Sequence, residues 1–171
     1  MIKGEKVGLR AVEFTDLNKL QEWRNKPEFR QFFRENRELN WDQQKTWFTD
    51  KVNRDPNTRM FSIVSLANTH LIGACGLCYI DWVNGSADLS LYIGHNDLYI
   101  DKVYAPDTVE TLVQYAFDEM RLHRLWTEVY SFDEKKQALF RSLGFQETIH
   151  RETYWKDGKW NDSVFFSLLN N

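Results

Sequence analysis

Three groups of residues have types and spacing that suit chemistry. The first is SLYIGHNDLYIDKVYAPDTVETLVQYAF, residues 90–117. A strand-like run, Leu89 to Ile93, leads through a polar loop to a helix-like run ending at Phe117. That is the layout of a phosphate-binding unit, in which backbone N–H groups and the positive end of a helix meet an anion. Such loops normally carry glycine, yet the residues just before the helix are Asp101, Lys102, Val103, Tyr104 and Ala105. The second group is Arg24, Arg30, Arg34 and Arg37. These arginines can hold a diphosphate or an acidic peptide end. They can equally form a solvated face balanced by Glu22, Glu28, Glu35 and Glu38. The third is the C-x-x-C pair Cys75 and Cys78. It lies in the strand-like HLIGACGLCYI, where residues three apart point to opposite faces. No second pair stands at zinc-finger spacing, so reduced core thiols are expected and no metal centre.

These groups must be positioned by a chain of 171 residues with net charge -3. The length suits one domain, 1–171, with a real core. The charge is too small and too mixed to argue for nucleic acid or a membrane surface. No apolar run approaches the ~20 residues of a membrane span. Nor does the N-terminus read as a signal region, so a cytoplasmic protein is expected. The aromatic content of 15% leaves a homodimer open.

Periodicity supplies the elements. KVGLRAV reads as a strand. Leu17, Leu20 and Trp23 recur at helical spacing behind Thr15 or Asp16 as N-cap. EFRQFFRENREL reads as a loop or short irregular helix, and Asn40 can cap a helix over WDQQKTWFTDKVN. Three strands follow: MFSIVSL, HLIGACGLCYI and SADLSLYIG, the last after the hairpin signal Asn84-Gly85. DTVETLVQYAFDEM reads as a helix, RLWTEVY as a strand, and DEKKQALFRSLGF as a helix stopped by Gly144. A closing hairpin turns at Asp157-Gly158. The order implies an α/β (α+β) domain with a mostly antiparallel sheet and about four helices. The fifth strand is expected parallel to the fourth, and ligands favour such a switch point.

The order and local wording resemble the GNAT acetyltransferase superfamily. The nearer resemblance is to its ribosomal-protein N-terminal and amino-sugar-nucleotide N-acetyltransferases. It is carried by LRAVEFTDLNKLQEWRNKPEFRQFF, YIDWVNGSADLSLYIG, LVQYAFDEMRLHRLWTEVYSFDEKKQALFRSLGF and YWKDGKWNDSVFFSLL. The resemblance implies a sheet splayed between strands four and five, with acetyl-CoA in the splay. It also implies direct attack by a primary amine on the thioester. The amine can belong to a small molecule, an amino sugar or a peptide N-terminus. By the same resemblance Asp88 occupies the place of a general base, with His95 at the loop mouth as the alternative. The backbone of Tyr92 and Ile93 would pair with the pantetheine arm. Lys102, Val103, Tyr104 and Ala105 would meet the pyrophosphate. Arg24, Arg30 and Arg34 would line the acceptor site.

The chain also departs from that pattern. Asp101 and Val103 stand where the family's loop has glycine, and Phe140 stands where a tyrosine commonly protonates the leaving thiolate. Two alternatives to acetyl transfer from acetyl-CoA therefore stay open: a non-catalytic GNAT-like binding module, and a transferase with another acyl donor. The segment YIDKVYAP divides them. Outward N–H groups favour the transferase, and a loop folded into the groove favours the module.

Overall fold

The computed structural model describes residues 1–171. Eight strands form one sheet in the order β1-β2-β3-β4-β5-β6-β8-β7. They are β1 (Ile2–Lys3), β2 (Val7–Ala11), β3 (Arg59–Ser65), β4 (Leu71–Asp81), β5 (Ser86–Ile93), β6 (Arg124–Tyr130), β7 (Gln146–Lys156) and β8 (Lys159–Leu169). The strands expected as fourth and fifth are β5 and β6, because the two-residue β1 precedes the rest. Every pairing is antiparallel except β5 with β6. That parallel pairing joins only Ser86 to Arg124, Ala87 to Leu125 and Asp88 to Trp126. Beyond Asp88 the two strands diverge, and the sheet opens into the expected splay.

The helices sit where the apolar spacing put them. In α1 (Leu17–Asn25), Leu17, Leu20 and Trp23 are buried. Asp16 occupies the N-cap position, but its carboxylate does not cap the helix. Instead it accepts two bonds from Arg10 at 2.8 Å, one from Ser62 Oγ at 2.7 Å and one from the Glu13 N–H at 2.9 Å. A charged donor outcompetes a backbone N–H for a buried carboxylate. Next come the four-residue α2 (Pro27–Arg30) and α3 (Trp41–Thr46), the latter capped by Asn40 through a reciprocal bond with Gln43. A π-helical segment, Trp47–Arg54, continues α3.

The helix α4 (Tyr104–Gln114) starts three residues before Asp107 and packs Val109 and Leu112 into the core. Asp107 also ties down the N-terminus. Its carboxylate accepts from the N–H groups of Glu5 at 3.1 Å, Lys6 at 2.8 Å and Val7 at 2.8 Å. The helix α5 (Glu134–Ser142) follows β6 and is capped by Asp133. At the β7–β8 turn Asp157 and Gly158 both have positive φ, 53° and 77°, as a two-residue hairpin turn requires. No helix is long and apolar enough to cross a membrane.

Candidate active site

Asp88 is the last residue of β5 paired with β6, where the splay begins. Its side chain is buried, and burial pushes its carboxyl up to about 6. Arg34, at 3.4 Å, and the buried Lys136 pull in the other direction without cancelling that effect. Arg34 also reaches Glu128 of β6 at 3.9 Å, so one guanidinium bridges the two diverging strands. A carboxyl raised toward neutrality and facing a cavity is suited to taking and releasing a proton.

Asp88 faces a cavity of about 650 Å³ bounded by β4, β5, β6 and the region after α1. Its lining includes Arg24, Phe33, Arg34, Cys78, Glu128 and Lys136. Arg24 lies over the Phe33 ring at 4.1 Å, and its buried Nε has no hydrogen-bond partner. Lys136, on the first turn of α5, is 8% exposed. Its Nζ donates to the Tyr99 hydroxyl at 3.1 Å. Burial, and then the repulsion of Arg34 and Arg24, hold its ammonium below the usual lysine range, against the pull of Asp133 and Asp88. Burial pushes the Cys78 thiol up to about 12 and the Cys75 thiol higher still, so neither is a ready nucleophile.

On the other side of the splay, the loop between β5 and α4 bonds to its own chain. The Asp101 carboxylate accepts from the N–H groups of Val103 at 3.1 Å, Tyr104 at 2.8 Å and Ala105 at 2.7 Å. These are the first N–H groups of α4. The Ile93 N–H donates to the Tyr99 carbonyl at 2.9 Å. Tyr99 is buried, with its ring stacked on Phe32 at 4.7 Å.

Residues 6–146 match the acetyltransferase (GNAT) domain family. The chain belongs to the GNAT acetyltransferase family. Members of this family move an acetyl group from acetyl-CoA to an amine. An uncharacterized N-acetyltransferase of Bacillus licheniformis, p20, is 27% identical over 96% of this chain and 93% of its own length. The spermidine N(1)-acetyltransferase of Vibrio cholerae is 23% identical over 90% of this chain and 87% of its own. A crystal structure of spermidine N-acetyltransferase from that organism, in complex with CoA and spermine, superposes with a TM-score of 0.85. It covers 95% of both chains at 22% identity.

Within that family's architecture the expected site residues separate. Asp88, Arg24 and Arg34 meet in the cavity. His95 does not line it; its ring lies 6.0 Å from Tyr104 in the β5–α4 loop. Arg30 also stays outside and pairs with Glu38 at 3.8 Å, as a solvated face would. The Tyr92 side chain packs against Phe33 and Trp23, with ring centroids at 5.5 and 6.5 Å. Lys102 and Val103 are exposed, and Ala105 is buried. The backbone groups expected to meet acetyl-CoA, the N–H of Ile93 and those at the start of α4, are already bonded within the chain. In this conformation the N–H groups at the start of α4 are engaged by Asp101 and are not free for the donor's diphosphate. In the YIDKVYAP segment these N–H groups turn inward onto Asp101 rather than outward. Sequence reasoning gave Lys136 no role. Its burial depends on the tilt of α5, which no local pattern shows.

Proposed function

We propose that this GNAT protein acetylates the primary amine of a small molecule that also carries an anionic group. The observation that carries this reading is the composition of the cavity. One raised carboxyl, Asp88, shares it with the half-buried Arg24 and the buried Lys136, neither of which makes a direct ion pair with a carboxylate. Of the other lining cations, Lys51 pairs with Asp55 at 3.3 Å and Arg34 with Asp88 at 3.4 Å. Arg24 and Lys136 have no such partner. A buried unpaired cation is costly, and a ligand anion relieves that cost on binding.

Acetyl-CoA, the donor of this family, supplies an acyl carbon already activated as a thioester. The chain's own residues supply a neutral amine. Asp88, ionised above about pH 6, takes a proton from the acceptor ammonium, directly or through one water. Arg34 stabilises Asp88 as the carboxylate. Arg24 and Lys136 hold the acceptor's anion and so orient its amine toward Asp88. Phe140 is buried and has no proton to give, so the thiolate leaves without an acid at that position.

The acceptor is then unlike a polyamine and closer to the substrates of the N-terminal and amino-sugar-nucleotide branch. An amino-sugar nucleotide brings a diphosphate, and a peptide N-terminus brings an acidic side chain or carboxylate. Release of CoA thiol, measured over amino acids, amino-sugar phosphates, acidic dipeptides and spermidine, tests this reading. Turnover with anionic amines and little with spermidine is expected. The reverse order would overturn the reading. The reading takes residues 1–171 as one transferase domain working in the cytoplasm. The exposed Trp155 and Trp160 on the last hairpin would be the contact of a homodimer, which light scattering checks.

One observation favours a second reading. The Asp101 bonds leave no free N–H for a diphosphate at the start of α4, as in a non-catalytic module or in a transferase with another acyl donor. Acetyl transfer to any acceptor in the screen excludes the module.

A further inference from the structure

We propose that residues 95–103 are an internal occupant of the acyl-donor groove, with Asp101 in place of the donor's diphosphate and Tyr99 across the path of its pantetheine arm. Acetyl-CoA then binds only when this segment swings out, and Asp101 sets the donor affinity.

The bonds carry this placement. A helix N-terminus attracts an anion because its first N–H groups lack helical partners. At α4 those groups converge on one carboxylate, Asp101, at 2.7 to 3.1 Å. A charged oxygen in that position repels a diphosphate and withholds its donors. The second contact lies one strand away. The Ile93 N–H is directed at the open side of β5, where an extended ligand would add as a strand, and the Tyr99 carbonyl takes it at 2.9 Å. The Tyr99 side chain then spans the splay. Its hydroxyl receives the Lys136 ammonium from α5, on the opposite wall. Diphosphate position, strand edge and gap are thus filled by one stretch of chain.

The same stretch is built to move. Asn96 and Asp97 are consecutive non-glycine residues with positive φ, 56° and 57°. Asn and Asp tolerate this left-handed conformation better than other side chains do, so the backbone turns sharply here at little cost. The hinge before them is fixed, because the Gly94 N–H donates to the Ile72 carbonyl at 2.8 Å. The outer clasp is an exposed ion pair, Lys26 with Asp97, which salt screens. Opening also frees Lys136 from Tyr99, so the donor's entry makes that cation available to the acceptor.

The gate matters only if acetyl-CoA is the donor, so binding is measured apart from turnover. Calorimetric titration of CoA into wild type and Asp101→Asn is the first experiment. Asparagine keeps one acceptor oxygen for the Val103 and Tyr104 N–H groups, while it removes the charge and frees the Ala105 N–H. CoA affinity is expected to rise tenfold or more in the variant, while a pantetheine thioester without diphosphate shows no such gain. Equal or weaker CoA binding by the variant overturns the proposal. So does CoA binding to neither protein. In that case acetyl transfer from the pantetheine thioester would still leave the transferase reading standing. Hydrogen exchange gives the second readout. Saturating CoA should speed exchange across residues 95–102 of the wild type, and unchanged exchange with CoA bound overturns the gate.

Discussion

Replacing Asp88 by asparagine should make the protein more stable at neutral pH and nearly inactive. The two effects share one cause. Burial raises the Asp88 carboxyl from 3.8 to about 6. That is roughly two pKa units, and at about 1.36 kcal/mol per unit the ionised carboxylate costs the fold up to about 3 kcal/mol. The sign follows from proton binding. Between about pH 4 and 6 the folded state holds a proton that the unfolded chain has released. Stability is therefore greatest below about pH 4 and is lost as pH rises through about 6. Asparagine has nearly the same shape and no such titration. Arg34 loses a partner but keeps Glu128 at 3.9 Å and is partly exposed, so that loss is small. The variant's advantage over wild type, measured by urea unfolding, should grow by about 2 kcal/mol between pH 4.5 and 7.5. Over the same span kcat/KM of wild type should rise through pH 6. The variant's value should be lower by roughly 10²–10⁴, the usual contribution of a general base. A stability gap that does not change with pH would refute the raised carboxyl. A gap that grows with pH while the variant stays fully active would refute the base.

Three further perturbations test other parts of the molecule. Lys136→Met removes a buried ammonium and fills its space, so stability should stay within about 1 kcal/mol of wild type or rise; KM for an anionic acceptor should increase at least tenfold while the CoA affinity of the open form changes little. Phe140→Tyr adds a hydroxyl to a fully buried ring packed 5.0 and 5.6 Å from the Phe145 and Phe166 rings; it should destabilise by about 1–3 kcal/mol without a gain in rate, and a faster enzyme would show that the family's acid can be restored here. Asp107→Ala strands the N–H groups of Glu5, Lys6 and Val7; a loss of about 3 kcal/mol is expected, seen by calorimetry as a Tm lower by roughly 6–12 °C.

Much of the fold was legible because it rests on local periodicity. Leu17, Leu20 and Trp23 announce α1, and Asp157-Gly158 announces the last turn through a backbone conformation few residue pairs accept. β1 was not legible. Its two residues carry no pattern and are held by pairing with Gly8 and Leu9 of β2, behind a turn that Asp107 fixes from a hundred positions away. The site was legible only in part, for a related reason. Charge balance along the sequence treated the arginines as one group. In space they divide: Arg37 grips Glu35 at 2.6 Å and Arg30 approaches Glu38, while Arg24 turns inward over Phe33. Which of several like charges is buried depends on helix rotation against the sheet, and counting charges carries no information about rotation.

Asp101 shows the opposite failure, in which the signal was present and its sign was misassigned. Set against a glycine loop, an aspartate looks like damage, a charge beside a phosphate. Set against helix chemistry, an aspartate three residues before Tyr104 is a cap that starts α4 earlier than the apolar pattern does. Both statements hold at once. What holds the helix end together in the free protein is the same interaction that keeps the donor's anion away. The missing glycines therefore leave an anion site intact and already occupied, and they turn a question about lost binding into one about competition between an internal carboxylate and a diphosphate.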